Sequence, residues 1–154
     1  MTARNSVQET FDEFGKSSCD YKKSGSWHRR SDETIVVLNL QKSNFGPNYY
    51  VNLAVWLLAV APADAPKPSQ CHIQTRLERL LPEDLHKRLR ALLDLDTHIE
   101  DGVRRGELLA LMNRHLLPLM QAAATLGGLR SDEGQRLVEA SLVDGDGQRV
   151  LAAI

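Results

Sequence analysis

The chain has 154 residues, 42% hydrophobic and 25% charged, with a formal net charge of −1. That length suits one domain with a core that needs no staples, and the near-zero charge excludes a bulk electrostatic pull toward nucleic acid or anionic membrane. Two cysteines, Cys19 and Cys71, are too few for a disulfide framework and fit a reducing compartment, with a single bridge between them left open.

Met1 to Gln8 is polar and no apolar signal core follows, which predicts a cytoplasmic protein. Residues 5–16 read as a helix. Ser6 is the expected cap with Glu9 completing a capping box, Val7, Phe11 and Phe14 form the apolar stripe, and Gly15 is the expected stop. Ser17 to Ser24 reads as a polar, basic connection, and Gly25 to Arg30 as a short strand carrying Trp27.

Thr34 to Leu58 is the most distinctive stretch. Ile35 to Leu38 is a β-branched-rich run, Phe45-Gly46-Pro47-Asn48 supplies turn chemistry, and Tyr49 to Leu58 is a second aromatic and aliphatic run. Together they predict an antiparallel pair. Alternation puts Val36, Leu38 and Leu40 on one face and Val51, Leu53, Val55 and Leu57 on one face of the partner. If those faces coincide they form a core side for helices to cover.

Leu53 to Ala61 is too short to span a bilayer and ends in a loop with prolines at 62, 66 and 68. Gln70 to Arg79 alternates again and reads as a fourth strand, with a short helix as the competing reading. From Pro82 the pattern is helical. Leu85, Leu89, Leu92 and Leu93 form one stripe, and Thr97 to Glu100 reads as a capping box opening a long helix that Pro118 should kink and Gly127-Gly128 should end. Ser131 to Val143 reads as a helix, Asp144 to Gly147 as a turn, and Gln148 to Ile154 as a final helix or strand. The expected fold is α+β: a four-stranded antiparallel sheet, an N-terminal helix and a C-terminal helical layer on the aliphatic face.

The opposite sheet face is the candidate site. It gathers Asn39, Gln41, Tyr50, Asn52, Trp56, His72, Gln74 and Arg76, with Trp27 or Arg29 joining from the preceding strand. Amides, rings and one cationic fork suit a pocket for a polar or planar ligand, although a solvated sheet face also carries such residues. Metal binding is disfavoured, because Cys19, Cys71, His28, His72, His98 and Asp101 form no CxxC or HxxxH unit. Nucleophile-elbow, phosphate-loop and EF-hand patterns are absent, and no cofactor is implied. The basic groups Lys22-Lys23, His28-Arg29-Arg30 and Lys87-Arg88 with Arg90 read as solvated rather than nucleic-acid-binding at this net charge. Leu108, Leu109, Leu111, Met112, Leu116, Leu117, Leu119 and Met120 exceed one core stripe. They would serve either a centrally buried helix or a homodimer or partner contact.

Three segments carry a resemblance. Asp20 to Arg29 (DYKKSGSWHR), Val37 to Ser43 (VLNLQKS) and Tyr49 to Leu53 (YYVNL), with Cys71-His72-Ile73 and Arg76-Leu77 further on, are similar to the bacterial domain-of-unknown-function family 4304. The likeness covers residues 11–80 well and the helical remainder loosely. Asp20-Tyr21 stands where that family usually has Gly-Phe. The resemblance implies a fold and a bacterial intracellular setting; it supplies no catalytic residues. Asn39, Asn52, Tyr50, Trp56 and His72 stand without an accompanying acid–base or nucleophile set, so the expected function is a non-catalytic module holding a small molecule or protein partner on the amide and aromatic face. The alternative is a small hydrolase or nucleic-acid-processing enzyme with His72 as general base and Arg76 as anion stabiliser.

Overall fold

The computed structural model describes residues 4–154, so residues 1–3 of the polar N-terminal stretch lie outside the described residues. Helix α1 (Ser6–Ser18) buries Val7, Phe11 and Phe14 as their spacing requires. Its cap lies one residue earlier than Ser6. The Asn5 side chain accepts from the Gln8 amide at 2.9 Å, and Gln8 Oε1 accepts from the Asn5 amide at 3.1 Å. Gly15 does not end the helix. It lies under the Trp27 indole, which a Cβ at that position would overlap.

The sheet has six strands among the described residues, not four, in the order β1 (Tyr21–Lys23), β2 (Ser26–Arg30), β3 (Thr34–Lys42), β4 (Tyr49–Leu57), β5 (Ile73–Arg76) and β6 (Leu142–Val143). All neighbours are antiparallel. The two extra strands are the edges. Tyr-Lys-Lys has no apolar alternation and becomes a strand because Ser24 (φ 54°) and Gly25 (φ 81°) make a tight two-residue turn back onto it. The two residues of β6 end a helical pattern, and the edge of β5 draws them out through pairs at Ile73 and Gln74.

The central register aligns the aliphatic faces: Val36 opposite Val55, Leu38 opposite Leu53, Leu40 opposite Val51. This face, with Ile73 from β5, packs against α1 and the C-terminal helices to form the main core. Trp27 also lies on this side, not on the amide face, with its Nε1 donating to Asp12 Oδ1 at 2.9 Å. The fourth predicted strand is shorter than 70–79 because α2 (Leu77–Leu80) takes over after Arg76.

The helical layer continues with α3 (His86–Leu92) and α4 (Asp101–Leu111). Thr97 does not cap α4, whose preceding residue is Glu100; the Thr97 carbonyl instead receives the Arg104 guanidinium at 2.8 Å. Before Pro118 the backbone widens into a π turn over Met112–Leu116, and α5 (Leu117–Ala122) follows. Proline lacks the N–H and its ring crowds the carbonyl four residues back, which accounts for the change of winding. Gly127 and Gly128 lie inside α6 (Leu126–Leu129), capped by Thr125, rather than ending the previous helix. Ser131 caps α7 (Asp132–Glu139), and Asp144 caps α8 (Gly145–Ala153) by accepting from the Gly147 amide at 2.7 Å. The apolar surplus of the middle helices has an internal use: Leu108, Met112, Leu116, Leu119 and Met120 are buried, and Leu109, Leu111 and Leu117 pack against them.

Candidate functional site

Period-two alternation and the antiparallel register place four polar side chains in one line across four strands. Ser26 of β2 stands opposite Asn39, Asn39 of β3 opposite Asn52, and Asn52 of β4 opposite Arg76 of β5. Neighbours in this row hydrogen-bond in sequence. Arg76 Nε donates to Asn52 Oδ1, Asn52 Nδ2 to Asn39 Oδ1, and Asn39 Nδ2 to Ser26 Oγ, each at 3.3 Å. Gln41 joins from the side: its Oε1 accepts from Asn52 Nδ2 at 3.0 Å and from Arg76 Nη2 at 3.3 Å. The Arg76 guanidinium also lies 4.1 Å from the centre of the Tyr50 ring, a cation–π contact that holds it over the sheet.

The row forms the floor of a groove of about 610 Å³. Ser24 and Lys67 to Ser69 make one part of its wall, and Gln74, Arg79 and Leu142 another. A groove of that size suits a small polar ligand. Asn39, Gln41, Asn52 and Arg76 line it; Tyr50 borders a neighbouring cavity with Arg76, Glu78 and Arg90.

Trp56 and His72 are not in the groove. They lie at the other end of the same face, with ring centres 4.4 Å apart. There the proline-rich segment between β4 and β5 covers a second, smaller core of Ile35, Val37, Ala54 and Cys71. Trp56 Nε1 donates to the Ala61 carbonyl at 2.9 Å. The covering segment is held from β1 and β2: Tyr21 Oη donates to the Asp64 carbonyl at 2.5 Å, Arg30 Nη1 to the Ala63 carbonyl at 2.8 Å, and His28 Nε2 to the Pro66 carbonyl at 3.2 Å. Sequence periodicity put Trp56 and His72 on the right face, but a loop's path follows from such distant contacts.

His72 is 4% exposed, and its Nδ1 accepts from the Leu57 amide at 2.9 Å. That bond uses the lone pair a general base would need at Nδ1 and sets the proton on Nε2. The enzyme reading gains no support from this geometry. Burial pushes the pKa of His72 and of His28 below the usual histidine value, and burial with Arg114 and Arg136 nearby lowers that of His115.

The sign follows from linkage. The unfolded chain takes up these protons near pH about 6.5 and the folded chain only at lower pH, so stability is complete above that value and falls as pH drops below it. Stability measured by urea unfolding should fall by at most about 1.4 kcal/mol per pH unit for each of the buried His28 and His72 below pH about 6.5, and by less for the more exposed His115. His72→Gln should flatten the profile; an unchanged slope in that variant would contradict the assignment.

The other candidates lie elsewhere in the fold. Both cysteines are free thiols, with burial pushing Cys71 up to about 12 and Cys19 up to about 11. Among the described residues no three His, Cys, Asp or Glu side chains form a metal cluster, and no helix is long and apolar enough to cross a membrane. The basic residues are largely engaged: Lys22 with Asp12, Lys23 with Asp64, Arg88 with Glu107 and Arg90 with Glu78. Arg29 donates to the Ser18 carbonyl at 3.4 Å rather than joining the amide row. The sequence reading missed Ser24, Ser26, Lys67, Ser69 and Arg79 as groove residues. Ser26 was detectable as the cross-strand partner of Asn39, whereas Lys67 and Arg79 are brought there by the loop and by α2.

A family model described as a domain of unknown function, DUF4304, matches residues 21–122. No curated protein and no solved structure matches the chain.

Proposed function

The chain belongs to the DUF4304 family, and from that premise we propose that it is a single-domain, non-catalytic ligand-binding or interaction module whose binding surface is the amide-lined groove. One observation carries the reading: the hydrogen-bonded row Ser26–Asn39–Asn52–Arg76 at the floor of a groove of about 610 Å³. Asparagine is disfavoured in strands, and a row of interlocked amides holds its unused donors and acceptors in set directions before any ligand arrives. Such preorganisation lowers the entropy lost on binding.

In this reading Asn39, Gln41, Asn52 and Arg76 touch the ligand and Tyr50 braces Arg76. Trp56 and His72 anchor the segment that supplies Lys67 to Ser69. The groove's serines have no histidine or carboxylate beside them in its lining, which favours capture over turnover.

The test is a proton–nitrogen NMR screen of the full chain with a library of small polar metabolites. Hits should move the side-chain amides of Asn39, Gln41 and Asn52. Asn52→Leu, which removes the centre of the row, should weaken them about tenfold or more. Hits that move only residues outside the groove, or that bind the Asn52→Leu protein unchanged, would overturn the proposal.

A further inference from the structure

We infer that the groove selects a small ligand bearing an anionic, acceptor-rich group of the phosphate or carboxylate class; this rests on the binding reading above. The argument starts from Arg76. A guanidinium has only donors, so Asn52 and Gln41 must both turn their oxygens toward it. Asn52 Nδ2 then points away, and both its hydrogens are used, one on Asn39 Oδ1 and one on Gln41 Oε1. One cation thus sets the polarity of the whole floor.

The consequence is a strong imbalance in what remains. Gln41 Oε1 has both lone pairs occupied, while its Nε2 keeps both hydrogens. Arg76 keeps both N–H groups of Nη1 and one of Nη2. Asn39 keeps one N–H. On the walls, Arg79 and the Lys67 ammonium have no side-chain hydrogen bond or ion pair among the described residues, and no carboxylate lines the groove. Against these donors, the amide acceptors left over are Gln74 Oε1, whose own Nε2 is spent on the Ser69 and Cys71 carbonyls, and one lone pair each of Asn39 and Asn52. The serine hydroxyls can act either way. A neutral sugar or amide brings donors along with its acceptors, and those donors would find few partners in this lining. A carboxylate brings only acceptors at neutral pH and a phosphate mostly acceptors, and the charge of either strengthens each bond.

The experiment titrates the full chain with inorganic phosphate, citrate and glucose 6-phosphate, and in parallel with glucose and N-acetylglucosamine. Side-chain NMR signals of Gln41, Asn39 and Arg76 are followed at two salt concentrations. At least one anionic probe should shift these signals, more weakly at higher salt, and the neutral probes should not. The double variant Lys67→Ala/Arg79→Ala removes exposed charges without touching the amide row. It should keep its fold and bind the anion about tenfold more weakly or worse. Neutral probes moving the groove signals while the anions do not would overturn the anion preference and leave the groove reading standing. So would anion binding that the double variant leaves unchanged together with neutral binding of equal strength. No shift at the groove with any probe would overturn both.

Discussion

Replacing Arg104 with leucine is expected to destabilise the protein by about 2–4 kcal/mol, the cost of leaving two carbonyls at a buried helix end without a donor. Arg104 lies on α4 and is 2% exposed. Its Nη1 donates to the carbonyls of Ala91 at 3.2 Å, Leu92 at 2.5 Å and Asp94 at 3.1 Å, and its Nη2 to that of Thr97 at 2.8 Å. Of these, the Leu92 and Thr97 carbonyls have no other donor, while Ala91 and Asp94 also accept from the Asp94 and Thr97 amides at 3.3 and 3.1 Å; helix ends leave such carbonyls open, and the helix dipole favours a cation there. The same turn holds the loop between β3 and β4, through Tyr49 N–H to the Leu93 carbonyl at 3.0 Å and Leu95 N–H to the Pro47 carbonyl at 3.0 Å. Leucine fills the space but leaves the Leu92 and Thr97 carbonyls without a donor, while Ala91 and Asp94 keep their backbone partners. Arg104→Lys keeps the charge and loses the fork, so it should recover less than half the deficit. Urea unfolding measures the loss, and amide exchange at Tyr49 and Leu95 should accelerate first. A leucine variant within about 1 kcal/mol of the parent, the cost of an ordinary hydrogen bond, would contradict this account.

Asp12→Leu is the second large effect, at about 2–4 kcal/mol. The Asp12 carboxylate on α1 receives the Trp27 indole N–H at 2.9 Å and the Lys22 ammonium at 3.1 Å, and pairs with Arg4 as well. Lys22 and Arg4 are roughly half exposed, with side-chain accessibilities of 43% and 52%, so they lose little when unpaired. Trp27 is 8% exposed, so without that carboxylate its N–H is left as a largely buried donor. The buried indole donor therefore carries most of the cost. Asp12→Asn tests this directly, because it keeps an acceptor for the indole and discards the charge; it should cost about 1 kcal/mol. An asparagine variant as damaged as the leucine one would transfer the effect to the ion pairs. Because β2 carries both Trp27 and Ser26, loosening this anchor should also broaden the NMR signal of the Asn39 side chain.

The amino-acid order alone determined the central pair of strands and the composition of its two faces. Val36, Leu38 and Leu40 alternate with Val37, Asn39 and Gln41 over a distance that one strand spans, and side-chain direction there depends only on position parity. The same parity rule on β4 and β5 brought Asn52 and Arg76 to the face that carries Asn39. The family likeness lay in the same local segments.

Tertiary structure decided everything that depends on a contact with no local pattern. Tyr21-Lys22-Lys23 and Leu142-Val143 became edge strands only because a neighbour offered unpaired backbone groups. Trp56 and His72 went under a loop whose course is set by Tyr21, His28 and Arg30, more than thirty positions away along the chain. Gly15 lies within a helix instead of ending it because an indole from β2 lies on it, and Arg104, an unremarkable member of a charged helix in the sequence, turned inward to four carbonyls. The direction of the amide row is of this kind too. Which way Asn52 and Gln41 point is set by a guanidinium 24 and 35 residues distant, since an amide has no preferred orientation until a group that can only donate is placed beside it.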